Sequence, residues 1–193
     1  MEAGATRGRA TRADAVRNRQ KLLTAALELF TERGPDASLD AVARRAGVGV
    51  GTLYRHFPTR EALVEAAYLS ELDRLHEGAG ELLAEHPPDE ALALWLDRFV
   101  DYGVAKRGMS GALQSVIASG RNPYSESRAK IGAALTALLE AAREAGSIRR
   151  DIDAEDVLRA MSAIWSMPDD DDEWPARART VLGLVMDGLR YRA

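Results

Sequence analysis

The chain has 193 residues, 46% of them apolar and 29% charged, which leaves room for one large domain or two small ones. It contains no cysteine, which excludes disulfides and thiolate metal sites, and no apolar run of membrane-spanning length. The net charge of −4 conceals an asymmetry: residues 1–60 carry 11 basic and 6 acidic side chains (+5), and residues 61–193 carry 15 and 24 (−9).

A polyanion would be drawn to the first segment and repelled by the second, as in a small basic reader joined to a larger acidic module. Helical spacing runs through nearly the whole sequence, and no segment alternates as a strand does. A first helix is expected over 14–33, with Val16, Leu23, Leu27 and Phe30 on one stripe and Gly34-Pro35 as its stop. Ser38 is placed to cap a short second helix carrying Leu39, Val42, Ala43 and Ala46, and Gly47 ends it. A third helix spans about 49–56. Thr59 caps a long fourth, about 60–84. The fifth starts at Pro88 or Asp89 and puts Leu92, Trp95, Leu96, Phe99 and Tyr102 on one face, with Gly103 and Gly108 loosening its end. Further helices are expected over about 109–119, 125–145, 153–166 (introduced by Asp153) and 175–190. The expected class is all-α with about nine helices.

The stretch AGVGVGTLYRHFPTREAL, residues 46–63, holds three glycines at alternate positions. A dinucleotide-binding reading fails. The spacing is not G-x-G-x-x-G, the preceding residues read as a helix, and no Gly-Lys-Ser/Thr follows. A helix-turn-helix fits better, with 38–46 as the first helix, Gly47 as the turn and 49–56 as the second helix. On that second helix Leu53 and Phe57 face inward, with Val50 at the edge of their face. Gly51, Thr52, Tyr54 and Arg55 project on the other side. Arg55 can bond guanine or phosphate, Thr52 offers a methyl and a hydroxyl, and Tyr54 offers a ring and a phenol. His56 and Arg60 flank the helix at phosphate positions. The bland readings are that Tyr54 is an ordinary surface aromatic and that Arg44 and Arg45 are solvated helix charges. Arg7, Arg9, Arg12, Arg17 and Arg19 form either a plain tail or an arm along the phosphates.

SLDAVARRAGVGVGTLYRHFPTREAL, with AALELFTERG before it, resembles the DNA-binding region of the TetR (tetracycline repressor) family of bacterial regulators. The detailed likeness covers about residues 17–66. It implies an operator-binding domain over residues 1–60 and an effector-binding and dimerisation domain over 61–193. It implies phosphate contact by Ser38, His56 and Arg60, operator contact by Thr52 and Tyr54, and base-reaching positions at Val50 and Gly51. Gly49 departs from the pattern, standing where the family often has a capping serine.

In the acidic segment the last helix carries Val181, Leu182, Val185 and Leu189 on more than one stripe, and the preceding one carries Val157, Leu158 and Met161. The two buried faces and, mainly, the resemblance make these a homodimer interface; the alternative is that they serve one chain's core. Trp95, Phe99, Tyr102, Met109, Gln114 and Trp165 are candidates for an effector pocket, although an aromatic stripe at this spacing also suits plain core. The acidic run Asp169–Asp172 lacks EF-hand spacing and reads as a solvated loop. No metal, cofactor or catalytic group is expected, and no enzyme: nucleophile–base pairs and metal clusters are missing from the pattern. With no secretory h-region, the expected location is the cytoplasm. The expected function is a dimeric regulator, a repressor released from a palindromic operator by a small molecule. The alternatives are an activator, or a DNA-binding structural or nucleoid-associated protein without an effector.

Overall fold

The computed structural model describes residues 3–168 and 173–190, with side chains from Ala13 onward. Among the described residues all regular structure is helical. The α-helices are α1 (Ala3–Arg33), α2 (Leu39–Ala46), α3 (Val50–His56), α4 (Arg60–Glu85), α5 (Pro88–Gly108), α6 (Ser110–Ala118), α7 (Ser127–Glu144), α8 (Ala154–Ser162) and α9 (Trp174–Arg190). Two 3-10 turns, Gly34–Asp36 and Ala163–Ser166, follow α1 and α8.

The helix ends follow local chemistry. Ser38 Oγ accepts the Ala41 amide at 3.2 Å, Thr59 Oγ1 that of Ala62 at 3.1 Å, and Asp153 Oδ1 that of Asp156 at 2.8 Å. Each satisfies an amide that the first helical turn leaves open. Gly47 closes α2 with φ +67°, and the amides of Gly47 and Val48 return to Arg44 and Ala43. This left-handed closure needs a residue without a Cβ clash, so a glycine stands there.

Three expectations are corrected. Helix α1 begins at Ala3 rather than near residue 14, because no proline interrupts the preceding Ala- and Arg-rich segment. Val16 is 67% exposed, so the buried stripe begins at Leu22 and runs through Leu23, Ala26, Leu29 and Phe30. Helix α5 passes straight through Gly103. That glycine is a packing site: a Cβ there would overlap the Trp174 ring and lie 3.1 Å from Trp165. The acidic run Asp169–Asp172 and the side chains of Arg7, Arg9 and Arg12 lie outside the described residues.

The chain forms two compact units. One comprises the residues up to Ser70 together with Gly108–Pro123, and the other Glu71–Arg107 together with the residues from Tyr124. The first buries Leu22 and Phe30 of α1, Val42 of α2, Leu53 of α3, Leu63 and Val64 of α4, and Leu113 and Val116 of α6. The second buries Trp95 and Phe99 of α5, Leu135 and Leu138 of α7, Met161 of α8, and Trp174 and Leu182 of α9. Among the described residues no helix is long and apolar enough to cross a membrane.

Candidate nucleic-acid interface

Helix α3 is held by its inner face. Leu53 is fully buried and Phe57, just past its C-terminus, nearly so. Arg19 of α1 lays its guanidinium over the Phe57 ring at 5.4 Å, adding a cation–π contact to the apolar packing. The outer face is open. Gly51, Tyr54 and Arg55 are exposed, Val50 is partly so, and Thr52 and His56 are half-buried at the flanks. Tyr54 is 48% exposed, and Arg55 has no ion pair among the described residues. This combination of a flat ring, a hydroxyl, a free guanidinium and a bare backbone suits the edges of base pairs and the adjoining phosphates.

The start of α3 is weakly held. Gly49 occupies the N-cap with φ −70° and ψ 145°, and its carbonyl accepts the Thr52 and Leu53 amides, but it has no side chain to cap the amides beyond. Ser38 lies exposed at the start of α2, its hydroxyl already engaged in capping.

Two arginines have roles that spacing did not reveal. Arg60, expected at the phosphates, donates to the carbonyls of Pro35 and Ala37, both at 2.5 Å, with its guanidinium 4.9 Å from the Phe30 ring centre. It clamps the start of α4 onto the loop that precedes α2. Arg45 donates two parallel bonds to Glu32, at 2.8 and 3.0 Å, and reaches Glu28 at 3.4 Å, bracing α2 against α1. The bond from Arg45 holds the Glu32 carboxyl below its ordinary range, and Glu32 in turn raises Arg45. Their solvent-exposed setting keeps this brace weak. A positive residue thirteen positions from an acid, across a turn, leaves no periodic trace in the sequence.

In the second unit the aromatic stripe of α5 is packed rather than open. Trp95, Phe99 and Tyr102 are buried, and Trp95 Nε1 donates to the Leu75 carbonyl at 2.9 Å. Phe99 and Tyr102 meet the Trp165 ring edge-on at 5.6 and 6.4 Å between centres, and Trp165 stacks on Trp174 at 5.9 Å. Trp165 alone of these candidates remains half-buried. Met109, buried, and Gln114, exposed, belong to the first unit, so the six pocket candidates are not gathered in one unit.

Of the expected interface residues, Val157, Leu158, Met161, Leu182 and Leu189 are buried within the single chain. Val181 and Val185 are half-buried. Helix α9 nonetheless has a second apolar face. Thr180, Val181, Leu184, Val185 and Gly188 fall at i, i+1, i+4, i+5 and i+8, and Leu184 is 68% exposed. On the side toward α5, Arg179 binds Asp97 at 2.5 Å and Asp101 at 2.8 Å, beside a groove lined by Leu96, Val100, Leu182 and Met186. Among the described residues no group of three acidic or histidine side chains could hold a metal ion.

Two family descriptions match the chain: "Bacterial regulatory proteins, tetR family" over residues 22–67, and "Transcriptional regulator SbtR-like, C-terminal domain" over residues 87–191. The crystal structure of a TetR transcriptional regulator from Streptomyces coelicolor is 52% identical, with a TM-score of 0.83, covering 91% of this chain and 99% of that one. A TetR regulatory protein from Mycobacterium vanbaalenii is 34% identical, with a TM-score of 0.76, covering 94% and 99%. Over 184 residues the chain is 29% identical to the HTH-type transcriptional repressor KstR2 of Rhodococcus jostii, covering 89% and 90%. Against two other curated helix-turn-helix regulators the match is local, 63 and 99 residues, and spans about half of their length, 47% and 51%. With both halves of the fold matched and two solved relatives covered almost end to end, the chain belongs to the TetR family of bacterial transcriptional regulators, a family of DNA-binding proteins and not of enzymes.

Proposed function

We propose that this protein is a homodimeric repressor of a pseudo-palindromic operator, released from DNA by a small organic effector. The observation that carries the reading is the outer face of α3, where Tyr54, Arg55 and Gly51 stand open on a helix whose other face is locked by Leu53 and Phe57. Thr52, Tyr54 and Arg55 face the major groove, Val50 and Gly51 let the backbone approach, and Ser38 and His56 meet phosphates. Arg60 acts through the loop it clamps, fixing where Ser38 and α2 sit. Residues up to about 60 form the reader, and those beyond it form the module that senses and dimerises.

The exposed face of α9, centred on Leu184 and Val185, is the seam with a second copy. An open apolar stripe backed by a fully packed one is what a helix shared between two cores requires. The family relationship supports this, and the Rhodococcus relative, a transcriptional repressor, supports the sign of regulation. Effector action follows from linkage: a ligand that binds better to a spacing of the two readers that does not fit the operator weakens DNA binding by that difference in affinity. Helix α4 runs through both units, and its first residue, Arg60, anchors the loop before α2, which makes it the lever.

Recovery of the DNA bound by the protein across its genome, followed by titration of the recovered site, tests the proposal. Two half-sites about one helical turn apart are expected, bound by a dimer. Binding spread evenly over sequence, with no half-site repeat, would defeat it.

A further inference from the structure

The second unit contains two lysines in opposite surroundings. Lys130 Nζ lies 2.6 Å from Asp73 Oδ1 and 2.8 Å from Glu126 Oε2, and these carboxylates raise its pKa. Lys106, in the last turn of α5, has neither a carboxylate partner nor a hydrogen-bond acceptor among the described residues. Its ammonium lies 4.4 Å from the ring centre of Trp165 and 5.1 Å from that of Tyr124. Burial pushes its pKa below the ordinary lysine value. All three side chains keep part of their surface open to solvent.

The balance of forces is unfavourable as it stands. Contact with aromatic faces offsets only part of the cost of withdrawing an ammonium partly from water. The helix dipole favours a cation in this turn, but it supplies no acceptor to the three N–H groups of Nζ. Arg107 beside it is already committed, donating to the Pro168 carbonyl at 2.5 Å and lying over Trp174 at 4.6 Å. Lys106 is thus a partly buried charge set against two aromatic rings, with no protein acceptor for its ammonium among the described residues.

We propose that Lys106, framed by Trp165 and Tyr124, is the anion-recognition point of the effector module and takes the carboxylate of a small organic acid. The proposal rests on reading this module as effector-binding. A single ammonium matches a single negative charge, and a phosphate dianion would leave charge unbalanced against apolar walls. The rings of Trp165 and Tyr124 suit an apolar body behind the carboxylate.

The test is titration of the full chain with benzoate, phenylacetate and octanoate, each beside its neutral amide. Tryptophan fluorescence and the thermal midpoint are read for the wild type, Lys106→Met and Lys106→Arg. At least one acid is expected to bind the wild type about tenfold or more tightly than its amide, the scale of a charged hydrogen bond. Lys106→Arg keeps that preference. Lys106→Met loses it and melts at or above the wild-type midpoint, because a partly desolvated charge has gone. If Lys106→Met does not fold, Lys106→Gln carries the same comparison. A wild type that shows no acid-over-amide preference anywhere in the panel overturns the inference, as does a preference that survives loss of the charge. The same acids are then added to the operator complex. Binding at Lys106 without release of DNA keeps the anion site and sinks the effector reading. Intact operator binding with no acid binding does the reverse.

Discussion

Helix α3 and helix α5 both present aromatic and polar residues at helical spacing, yet the structure uses them in opposite ways. On α3 the spaced set Gly51, Tyr54 and Arg55 is open to solvent, and the residues that hold the helix lie on the other side. On α5 the spaced set Trp95, Phe99 and Tyr102 is itself the interior of its unit. Periodicity identifies a face but not its occupant. The occupant is read from the residue types opposite: α3 sets a polar face against Leu53 and Phe57, whereas α5 is apolar around much of its circumference and must be enclosed.

The sharpest way to break this contrast is to empty the α5 core. Trp95→Ala is expected to cost about 3–5 kcal/mol, since it removes a fully buried indole together with its hydrogen bond to the Leu75 carbonyl. Denaturant unfolding measures it. A variant of near-normal stability with altered ligand response would instead make Trp95 a pocket wall.

Helix α3 should behave in the converse way. Tyr54→Ala and Thr52→Ala are each expected to weaken operator binding about 10–100-fold, the scale of one lost groove contact. For Tyr54→Ala the unfolding free energy should shift by no more than about 0.5 kcal/mol, as for other open positions, and for the half-buried Thr52 by about 1 kcal/mol at most. Titration of operator DNA beside a melt of the same sample separates the two quantities. A loss of stability equal to the loss of binding would mean that Tyr54 is packing, and the contrast between the helices would disappear.

The same contrast explains what was legible in the sequence. Caps and stops were, because their causes are local: Ser38, Gly47, Thr59 and Asp153 each act within one turn. The open face of α3 was, because α3 has polar and apolar sides within seven residues. The start of α1 was not, since a polar helix with no stop signal looks like a tail. Nor were the roles of Val157, Leu158 and Met161, because a core in one chain and a core shared by two have the same spacing. Arg60 was placed at a phosphate position by its place beside α3 and by resemblance, and only three-dimensional geometry shows its fork on Pro35 and Ala37.

Arg60 therefore offers a finer comparison, between a residue that touches DNA and one that positions what does. Arg60→Met is expected to lower stability by about 1–2 kcal/mol through the two lost charged hydrogen bonds. It should weaken operator binding with the salt dependence unchanged in slope. A slope reduced by about one would show a direct phosphate contact. Smaller still is the effect of restoring a cap. Gly49→Ser meets no steric obstacle, and its hydroxyl can accept an amide at the start of α3. A gain of a few tenths of a kcal/mol is expected, seen as a higher melting midpoint with operator preference retained.

The smallest effect compares two carboxylates held low by arginine. Arg149 pushes Asp151 from an ordinary 3.8 down to about 2, and Arg45 lowers Glu32 from 4.5. Both are depressed in the folded chain, so each contributes stability above its unfolded pKa and loses it as pH falls through the folded value. For Asp151 that window runs from 3.8 down to about 2, and for Glu32 it lies below 4.5. The larger shift should nevertheless matter less. Arg149 and Asp151 are two residues apart, so the unfolded chain keeps much of their attraction, and only the difference between folded and unfolded states counts. Arg45 and Glu32 are thirteen apart and meet only when α2 packs on α1. Both pairs are exposed and screened by salt, which keeps both effects small. In low salt, Glu32→Gln is therefore expected to flatten the acid limb of the thermal midpoint more than Asp151→Asn does. The opposite order would show that the depth of a pKa shift, rather than the distance along the chain it bridges, sets what an arginine contributes here.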